Sequence, residues 1–571
     1  MPHEVLTTIK PRKYQEDIYN TCKDKNCLVV LPTGIGKTLI ALMLAINRIK
    51  SFPSNKILFL APTRPLAQQH LDYFKKHLPE LYAQLDLFTG KIDAEERKAI
   101  WQKSEIIFST PQCIANDLKH NLYNLEEVSL LIEDECHRCL KNYSYTYVAE
   151  KYKQQAKNQR ILGLTASPGV ERKTIGLIAK NLQIEAIELR TRESEDVKEY
   201  LQKLEFEIIK LDFPKEFQKI RSPLLGIFDK KIEELKNRKL LFMPPTKKFL
   251  LETQHRIMKT ISSGNRNFNI LAGASVCAIA IKIQHALELL ETQTLYSLQN
   301  YFYELFKQSQ ENKSKAVQKL VKMPQFNQAF IAINELLSKK IENPKLIKLK
   351  EIVEEEIKSN QKAKIIIFSQ FRDNVKRICK EMNSIRDIKA SVFVGQAKKT
   401  TNKIAGIEQQ ETGLSQKEQQ EMIKKFSSGE INVICATSIA EEGLDIPEVN
   451  AVIFYEPVPS AIRKIQRAGR TARLSRGKLI ILMITKTRDE AYHWSAFHKE
   501  KKMYNAIKSI KQDLDSGELS FIDNESEEND DKGQEEDKEA EEKNEGNNEV
   551  EEDNRQTKKI EQKTLWDINE K

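Results

Sequence analysis

The sequence predicts an α/β protein made of two parallel-sheet lobes with an all-helical insertion between them. Three observations predict it. Short β-branched runs recur, and they are continuously apolar rather than alternating, as strands buried on both faces of a parallel sheet must be. The stretches between them, such as TLIALMLAINRIK (38–50), have helical spacing, which makes the layering α/β. From about Pro214 to Lys340 the strand rhythm stops, and afterwards it returns.

Taken in order, the first strand candidates are NCLVVLPT (26–33), KILFLAPT (56–63), LDLFTG (85–90), EIIFSTPQ (105–112), LLIEDE (130–135) and RILGLTAS (160–167). The later ones are KIIIFSQF (364–371), INVICATS (431–438), VNAVIFYEP (449–457) and KLIILMIT (478–485). Between the groups, 270–293 and the stretch from KAVQKLVKM through FNQAFIAINELLSKK read as long amphipathic helices. The expected boundaries are lobe 1 at 1–213, insertion at 214–342, lobe 2 at 343–515 and a tail at 516–571.

Charge follows this division. The net charge of +10 conceals an acidic run at 523–553 with 17 acids against 3 lysines, so the remainder carries +24. Residues 211–340 hold 21 basic against 11 acidic side chains. A body that basic suits a polyanionic partner, nucleic acid first, although lysines that merely solvate a surface give the same sum. The acidic tail, Asn-rich and nearly free of aromatics, reads as disorder. No apolar run is expected to span a bilayer, and MPHEVLTTIKPRKYQ lacks the apolar core of a signal peptide, so a cytoplasmic protein is expected. The eight cysteines are spread thinly, several inside apolar runs such as NVICATS, as small buried hydrophobes would be.

LPTGIGKT (31–38) follows a strand and opens a helix, the setting a phosphate loop needs. Gly34 and Gly36 let the backbone curl past Thr33, so that N–H groups point at a phosphate at a helix N-terminus. Lys37 can reach the β- and γ-phosphates, and the Thr38 hydroxyl can hold Mg²⁺. Leu31 stands where the strict GxxxxGK[ST] pattern has its first glycine. Such a loop implies an apolar strand ending in acids beside it. LLIEDECH supplies one: Asp134 for Mg²⁺, and Glu135 as the base for the attacking water. A zinc site on Cys136, His137 and Cys139 is the alternative. It lacks a nearby CxxC or HxxxH partner, and packing is the expected role of the two thiols.

With TAS (165–167), SIAEEGLDIPE and QRAGRTAR (466–473) following in order, the chain resembles a superfamily 2 DECH-box helicase over roughly residues 10–500. The resemblance implies two RecA-like lobes using ATP and Mg²⁺. It also implies roles for matching positions. RKYQ (12–15) resembles the adenine-reading motif, with Gln15 and more weakly Arg12 as contacts. APTRPLAQQH, FTG, STPQ, FSQFRD and ATSIAEEGLDIP resemble the nucleic-acid motifs, which implies Arg64, Thr89, Gly90, Thr110, Gln370 and Thr437 near the strand, with Gly443 and Asp445 near the ribose. His137, Thr165 and Ser167 would couple the two sites; Gln466 would face the γ-phosphate, with Arg470 and Arg473 as arginine fingers.

The wording of TASPG, RTRESEDVKEYL, IIFSQFRDNV, FVGQA and GLSQKEQ resembles the archaeal Hef and FANCM-type DNA translocases, whose insertion helps grip branched DNA. The resemblance implies 3′ to 5′ action on forks and junctions. ERKTIGL (171–177) lacks the aspartate of an XPF-like nuclease signature and is expected as an exposed helix, so cutting would need a separate nuclease partner. QKTLWDI (562–568), running from Gln562 to Ile568, resembles a sliding-clamp peptide without its aromatic pair. Two rivals remain open: a double-stranded-RNA-stimulated ATPase of the RIG-I/Dicer kind, and a junction scaffold without enzymatic activity.

Overall fold

The computed structural model describes residues 5–6, 9–79, 82–90, 92–200, 204–264, 267–395, 414–440, 446–460, 463, 467 and 477–517. Two wholly parallel sheets organise them. The first comprises β1 (Cys27–Val30), β2 (Lys56–Leu60), β3 (Leu85–Phe88), β4 (Ile106–Ser109), β5 (Val128–Asp134), β6 (Ile161–Thr165) and β7 (Ala186–Leu189), in the order β3-β4-β2-β5-β6-β1-β7. The second comprises β8 (Leu204–Leu211), β9 (Ile365–Phe368), β10 (Ala390–Phe393), β11 (Val433–Ala436), β12 (Ala451–Phe454) and β13 (Gly477–Ile484), in the order β10-β11-β9-β12-β13-β8. Every residue of β1, β2, β4 and β5 is buried, as continuous apolar runs require. Helices such as Lys37–Ser51 and Arg64–His77 cover the faces. The two α/β lobes with helices between them are the architecture the sequence predicts.

The lobe boundary needs correction. Residues 204–211 fall within the expected lobe 1, yet β8 pairs along its whole length with β13, from Leu204 opposite Gly477 to Leu211 opposite Ile484. LEFEIIKL intersperses charge with apolar residues because β8 is an edge strand and stays partly exposed. The chain therefore enters the second sheet before the helices of the insertion begin.

A return crossing follows. The helix Arg488–Ser516 leaves the second sheet and buries Met503, Ile507 and Ile510 in the apolar cluster of lobe 1, together with Ile175, Ile178 and Ala179 of the helix Arg172–Asn181. Lys502 pairs with Glu171 at 3.8 Å, and Arg172 pairs with Asp513. ERKTIGL opens a helix that exposes Glu171, Arg172, Lys173 and Leu177, as expected, while Ile175, with Ile178 and Ala179 beyond it, is buried with the C-terminal helix in the cluster of lobe 1.

The helical insertion is divided as well. The chain forms two compact units, the larger drawn from Met1–Gly226, His285–Phe393 and Gln420–Phe521, the smaller from Ile227–Gln284 and Val394–Gln419. In the larger unit the helices Leu295–Gln310 and Pro324–Ser338 stack Phe302 on Phe326 at 4.3 Å. In the smaller one Leu240, Leu250, Ile257 and Cys277 are buried. A Cβ on Gly273 would lie 2.1 Å from Leu240 Cδ1, so the helix Phe268–Thr292 needs a glycine where Leu240 packs on it.

Among the described residues the helix Phe268–Thr292 is long and apolar enough, by length and composition, to cross a membrane, with a mean hydropathy of 1.6 over a window half of which is buried in the protein. Its C-terminal turns carry acids held by bases: Glu291 accepts from Arg488 at 2.7 Å and pairs with Arg221 at 3.1 Å. Such buried pairing suits a protein interior.

The return crossing predicts a stability effect. Ile507→Ala removes a fully buried side chain from lobe 1 although it lies in the C-terminal helix, and is expected to cost about 2–5 kcal/mol. Urea unfolding followed by a probe in lobe 1 checks this; an unchanged midpoint would mean that the helix is dispensable to that lobe.

Candidate nucleotide and nucleic-acid site

In a parallel sheet all strands end at one edge, so strand order decides which loops are neighbours. In the first sheet β5, β6 and β1 are adjacent, and they lead into DECH, TAS and the LPTGIGKT loop respectively. Beside them β2, β4 and β3 are adjacent, and they lead into the loops carrying Arg64, Thr110, and Thr89 with Gly90. The motifs are thereby sorted into two halves of one edge.

The loop after β1 is held from behind. Gly34 and Gly36 have φ of 84° and 86°, left-handed values that suit glycine. A Cβ on Gly36 would sit 2.2 Å from Gln15 Nε2, so the glycine is needed for space as well. Tyr14 donates its hydroxyl to the Ile35 carbonyl at 2.6 Å, and Gln15 Nε2 donates to the same oxygen at 3.2 Å. Gln15 Oε1 accepts from the Arg12 N–H at 2.8 Å, and the Arg12 guanidinium lies 5.0 Å from the Tyr200 ring. The RKYQ segment therefore braces the phosphate loop directly, and Tyr14 is a member that the sequence reading passed over.

Lys37 opens the helix Lys37–Ser51, and its Nζ donates to the Leu31 carbonyl at 3.1 Å. Thr33 Oγ1 is buried without a hydrogen-bond partner. Left-handed glycines, an orphaned hydroxyl, a lysine and the oxygen donors Thr38 and Asp134 form a donor set that fits a magnesium nucleotide.

The three acids of IEDECH have different environments. Glu133 is fully buried, and burial pushes its carboxyl well above the usual range, with Cys139 only partly opposing this. Burial also pushes Asp134 up, but the hydrogen bond and charge of His70 and the charge of Lys37 outweigh it and hold the carboxyl below its ordinary range. His70 Nε2 lies 2.9 Å from Asp134 Oδ2, and His70 Nδ1 lies 3.5 Å from Thr38 Oγ1. One imidazole thus touches both candidate Mg²⁺ ligands. Tyr145 donates to the Asp134 carbonyl at 2.6 Å. Glu135 follows in a left-handed conformation, φ 51°, an uncommon one for a non-glycine residue at the end of a strand.

His137 Nδ1 lies 3.3 Å from Glu135 Oε2 and 3.2 Å from Thr165 Oγ1, and Thr165 Oγ1 accepts the Ser167 N–H at 3.1 Å. The structure brings these four residues into one buried chain. Cys136 and Cys139 lie in the apolar cluster of lobe 1, and burial pushes both thiols well up.

Among the expected nucleic-acid residues, Arg64 and Gly90 are exposed, Thr110 is half-buried and Thr89 is buried. In the second sheet half-buried Gln370 follows β9 and buried Thr437 follows the neighbouring β11. Gly443, Asp445, Gln466, Arg470 and Arg473 lie outside the described residues, as do 523–553 and 562–568.

Two further members, besides Tyr14, went unnoticed in the sequence. His70 stands in the apolar stripe Ala67, His70, Leu71, Phe74, where a polar side chain needs a partner. Glu456, in FYEP, is 1% exposed and accepts the Gln370 N–H.

Comparison with known proteins agrees with this arrangement. Residues 12–175 match the DEAD/DEAH box helicase family, 345–475 the helicase conserved C-terminal domain, and 216–342 the family described as "Putative ATP-dependent RNA helicase, helical bundle". A Methanocaldococcus jannaschii protein bearing the same "putative ATP-dependent RNA helicase" name is 37% identical over 88% of this chain and 61% of its own. The mouse Fanconi anemia group M protein homolog is 31% identical over 89% of this chain and 26% of its own. The Schizosaccharomyces pombe ATP-dependent DNA helicase fml1 is 30% identical over 89% of this chain and 60% of its own. The chain thus spans less than two thirds of these relatives. It covers all of the crystallised Pyrococcus furiosus Hef helicase domain, at 40% identity, 86% of this chain and a TM-score of 0.65.

Two parallel lobes, a braced phosphate loop and an acid-tipped strand define a superfamily 2 helicase. Within that class, the chain belongs to the Hef/FANCM type.

The loop geometry makes a prediction. Gly36→Ala forces an alanine into the left-handed region at a cost of about 1–2 kcal/mol and drives its methyl against Gln15. ATP affinity measured by calorimetry is expected to fall about 10-fold or more; unaltered affinity would mean that the loop rearranges freely.

Proposed function

We propose that the chain is an ATP-dependent DNA helicase or translocase, acting with 3′ to 5′ polarity on forked or branched DNA in replication-fork repair and recombination. The observation that carries this reading is the order of the first sheet, which sets the three nucleotide loops beside the three nucleic-acid loops on one edge.

In this reading Lys37 meets the terminal phosphates, and Thr38 and Asp134 hold Mg²⁺ beneath His70. Bound magnesium would neutralise charge developing on the transferring phosphoryl group. Glu135, in its left-handed conformation at the end of the strand, takes the proton of the attacking water. His137 carries the state of that carboxylate to Thr165. Gln466, Arg470 and Arg473 complete the site from the second lobe, and Gly443 and Asp445 meet the ribose. Lobe closure on ATP and release after hydrolysis then moves Arg64, Thr89, Gly90 and Thr110 relative to Gln370 and Thr437 along a phosphate backbone.

The insertion contacts DNA in this reading. Its smaller unit carries the acid-free run 235–251, with Lys236, Arg238, Lys239, Lys247 and Lys248, and exposes Phe242 and Phe268. Cations for phosphates and aromatic faces for unpaired bases suit a branch point. DNA rather than RNA is supported by the Hef, Fanconi and fml1 relatives. The RNA wording of the M. jannaschii and helical-bundle names favours the duplex-RNA ATPase as the second reading. The tail is assigned to sliding-clamp docking through 562–568, strand cutting to a separate XPF-like nuclease, and the protein to the cytoplasm.

An ATPase assay over single strands, duplexes, forks and four-way junctions in DNA and RNA tests the reading. Forked DNA is expected to stimulate most; stimulation by duplex RNA alone would replace it with the second reading. Glu135→Gln is expected to lower kcat by about 10²–10⁴-fold while ATP still binds. Full cellular function in that variant, despite the lost turnover, would instead favour the junction scaffold.

The acidic run at 523–553 is assigned to competition with DNA for the basic surface. Deleting 523–571 is then expected to tighten DNA binding, with a gain that shrinks as salt rises. Equal affinity across salt would reject self-competition.

A further inference from the structure

The helix Arg488–Ser516 carries a second stripe, opposite the one it buries in lobe 1. Met503, Ile507 and Ile510 face the protein. The helical period turns Trp494, Phe497, His498, Lys501, Asn505 and Lys508 the other way, and all six are exposed. Trp494 and Phe497 leave 47% and 45% of their surface to solvent.

The N-terminal end of this stripe is aromatic. The Trp494 ring lies 6.0 Å from Phe497, edge to face, and 6.4 Å from His498, and Phe497 and His498 are 5.8 Å apart. A single exposed ring is ordinary on a protein surface, whereas three in mutual contact form a platform.

The remainder of the stripe is basic. From 491 to 512 the helix holds five lysines against one acid, Glu500. Lys502 is engaged by Glu171 at 3.8 Å, and Lys499 donates to the Pro459 carbonyl at 3.1 Å. Among the described residues Lys501 and Lys508 pair with no acid, and both stand in solvent.

The Lys499 bond sets the aromatic end beside the loop after β12. That strand neighbours β9, whose loop carries Gln370. The stripe thus starts near the nucleic-acid edge of the second sheet. It runs about 21 Å from Trp494 to Lys508, along the helix that packs on lobe 1.

Rings and cations in one row select their ligand. Aromatic faces stack on bases that are unpaired, and lysines meet the phosphates between them. A blunt duplex keeps its bases stacked inside and has nothing to offer the platform. The acidic run 523–553 would satisfy the lysines, but it contains no aromatic ring to set on Trp494 and Phe497.

We propose that this stripe is an accessory track for an unpaired strand. Bases stack on Trp494 and Phe497, and phosphates meet Lys501 and Lys508, so that a single-stranded arm leaving the second sheet is held along the helix that crosses to the first lobe. This rests on the nucleic-acid part of the reading above and not on ATP hydrolysis.

The test is equilibrium binding of the full chain, without nucleotide, to a fork with a long unpaired oligothymidine arm and to a blunt duplex. The double variant Trp494→Ala, Phe497→Ala is expected to weaken binding of the armed fork about 10-fold and to leave the blunt duplex unchanged. Trp494→Phe keeps a ring and is expected to retain most of the affinity. Replacing Lys501 and Lys508 together by glutamine is expected to lower the salt slope for the armed fork by about 1.4, the value for two single-strand phosphates. The arm is also expected to quench the tryptophan emission of the wild type, and this quench is lost in Trp494→Phe, because Trp101 is buried. Wild-type affinity of the ring variant for the armed fork would overturn the proposal. So would a loss shared equally by the blunt duplex, which marks a merely structural role. Tighter binding by the ring variant would mean that the acidic tail occupies the stripe, and would overturn it as well. A wild-type chain that binds neither substrate would overturn the nucleic-acid reading first, and this track with it.

Discussion

The parallel register of the first sheet is the constraint on which the rest depends. Seven strands running one way deliver every connecting loop to the same edge, and the order β3-β4-β2-β5-β6-β1-β7 sorts those loops by what they carry. The phosphate loop, the acid-tipped strand and TAS are consecutive in space although 130 residues separate Leu31 from Ile161 in sequence. Backbone pairing sets this order, so the site needs few side-chain contacts to assemble it. The contacts that remain are short and buried: Tyr14 and Gln15 on Ile35, His70 on Asp134, His137 between Glu135 and Thr165.

Much of this was legible in the sequence, for physical reasons. Strands covered on both faces must be apolar throughout, so β1, β2, β4, β5 and β6 stood out, and a glycine loop between strand and helix marked the phosphate end. What escaped notice lies where that rule weakens. β7 and β8 are edge strands, half-covered, and LEFEIIKL reads like a solvated helix or loop. β10 is an edge strand in the second sheet and was seen only as part of a motif. His70 and Glu456 escaped because a polar residue in an apolar stripe identifies itself only by its partner, and their partners lie 64 and 86 residues away.

The run of acids in IEDECH shows how one strand can separate chemistries. Successive side chains of β5 point to opposite faces. Asp134 therefore meets His70 and the field of Lys37, while Glu133 meets the Cys139 thiol in the cluster behind the sheet, where burial pushes its carboxyl well up. Neighbours in sequence have opposite proton affinities because they look into opposite halves of the lobe.

The two chain crossings bear on how the molecule is made. Ile175 and Ile178 leave the ribosome about 330 residues before Ile507, which covers them. At roughly 5–20 residues per second their apolar face waits some tens of seconds for its lid. During translation the first lobe is thus a half-finished object, and its completion reports that the second has been synthesised to its last helix. A ribosome stalled in the insertion would release a sticky fragment in place of a small, independent nucleotide-binding domain.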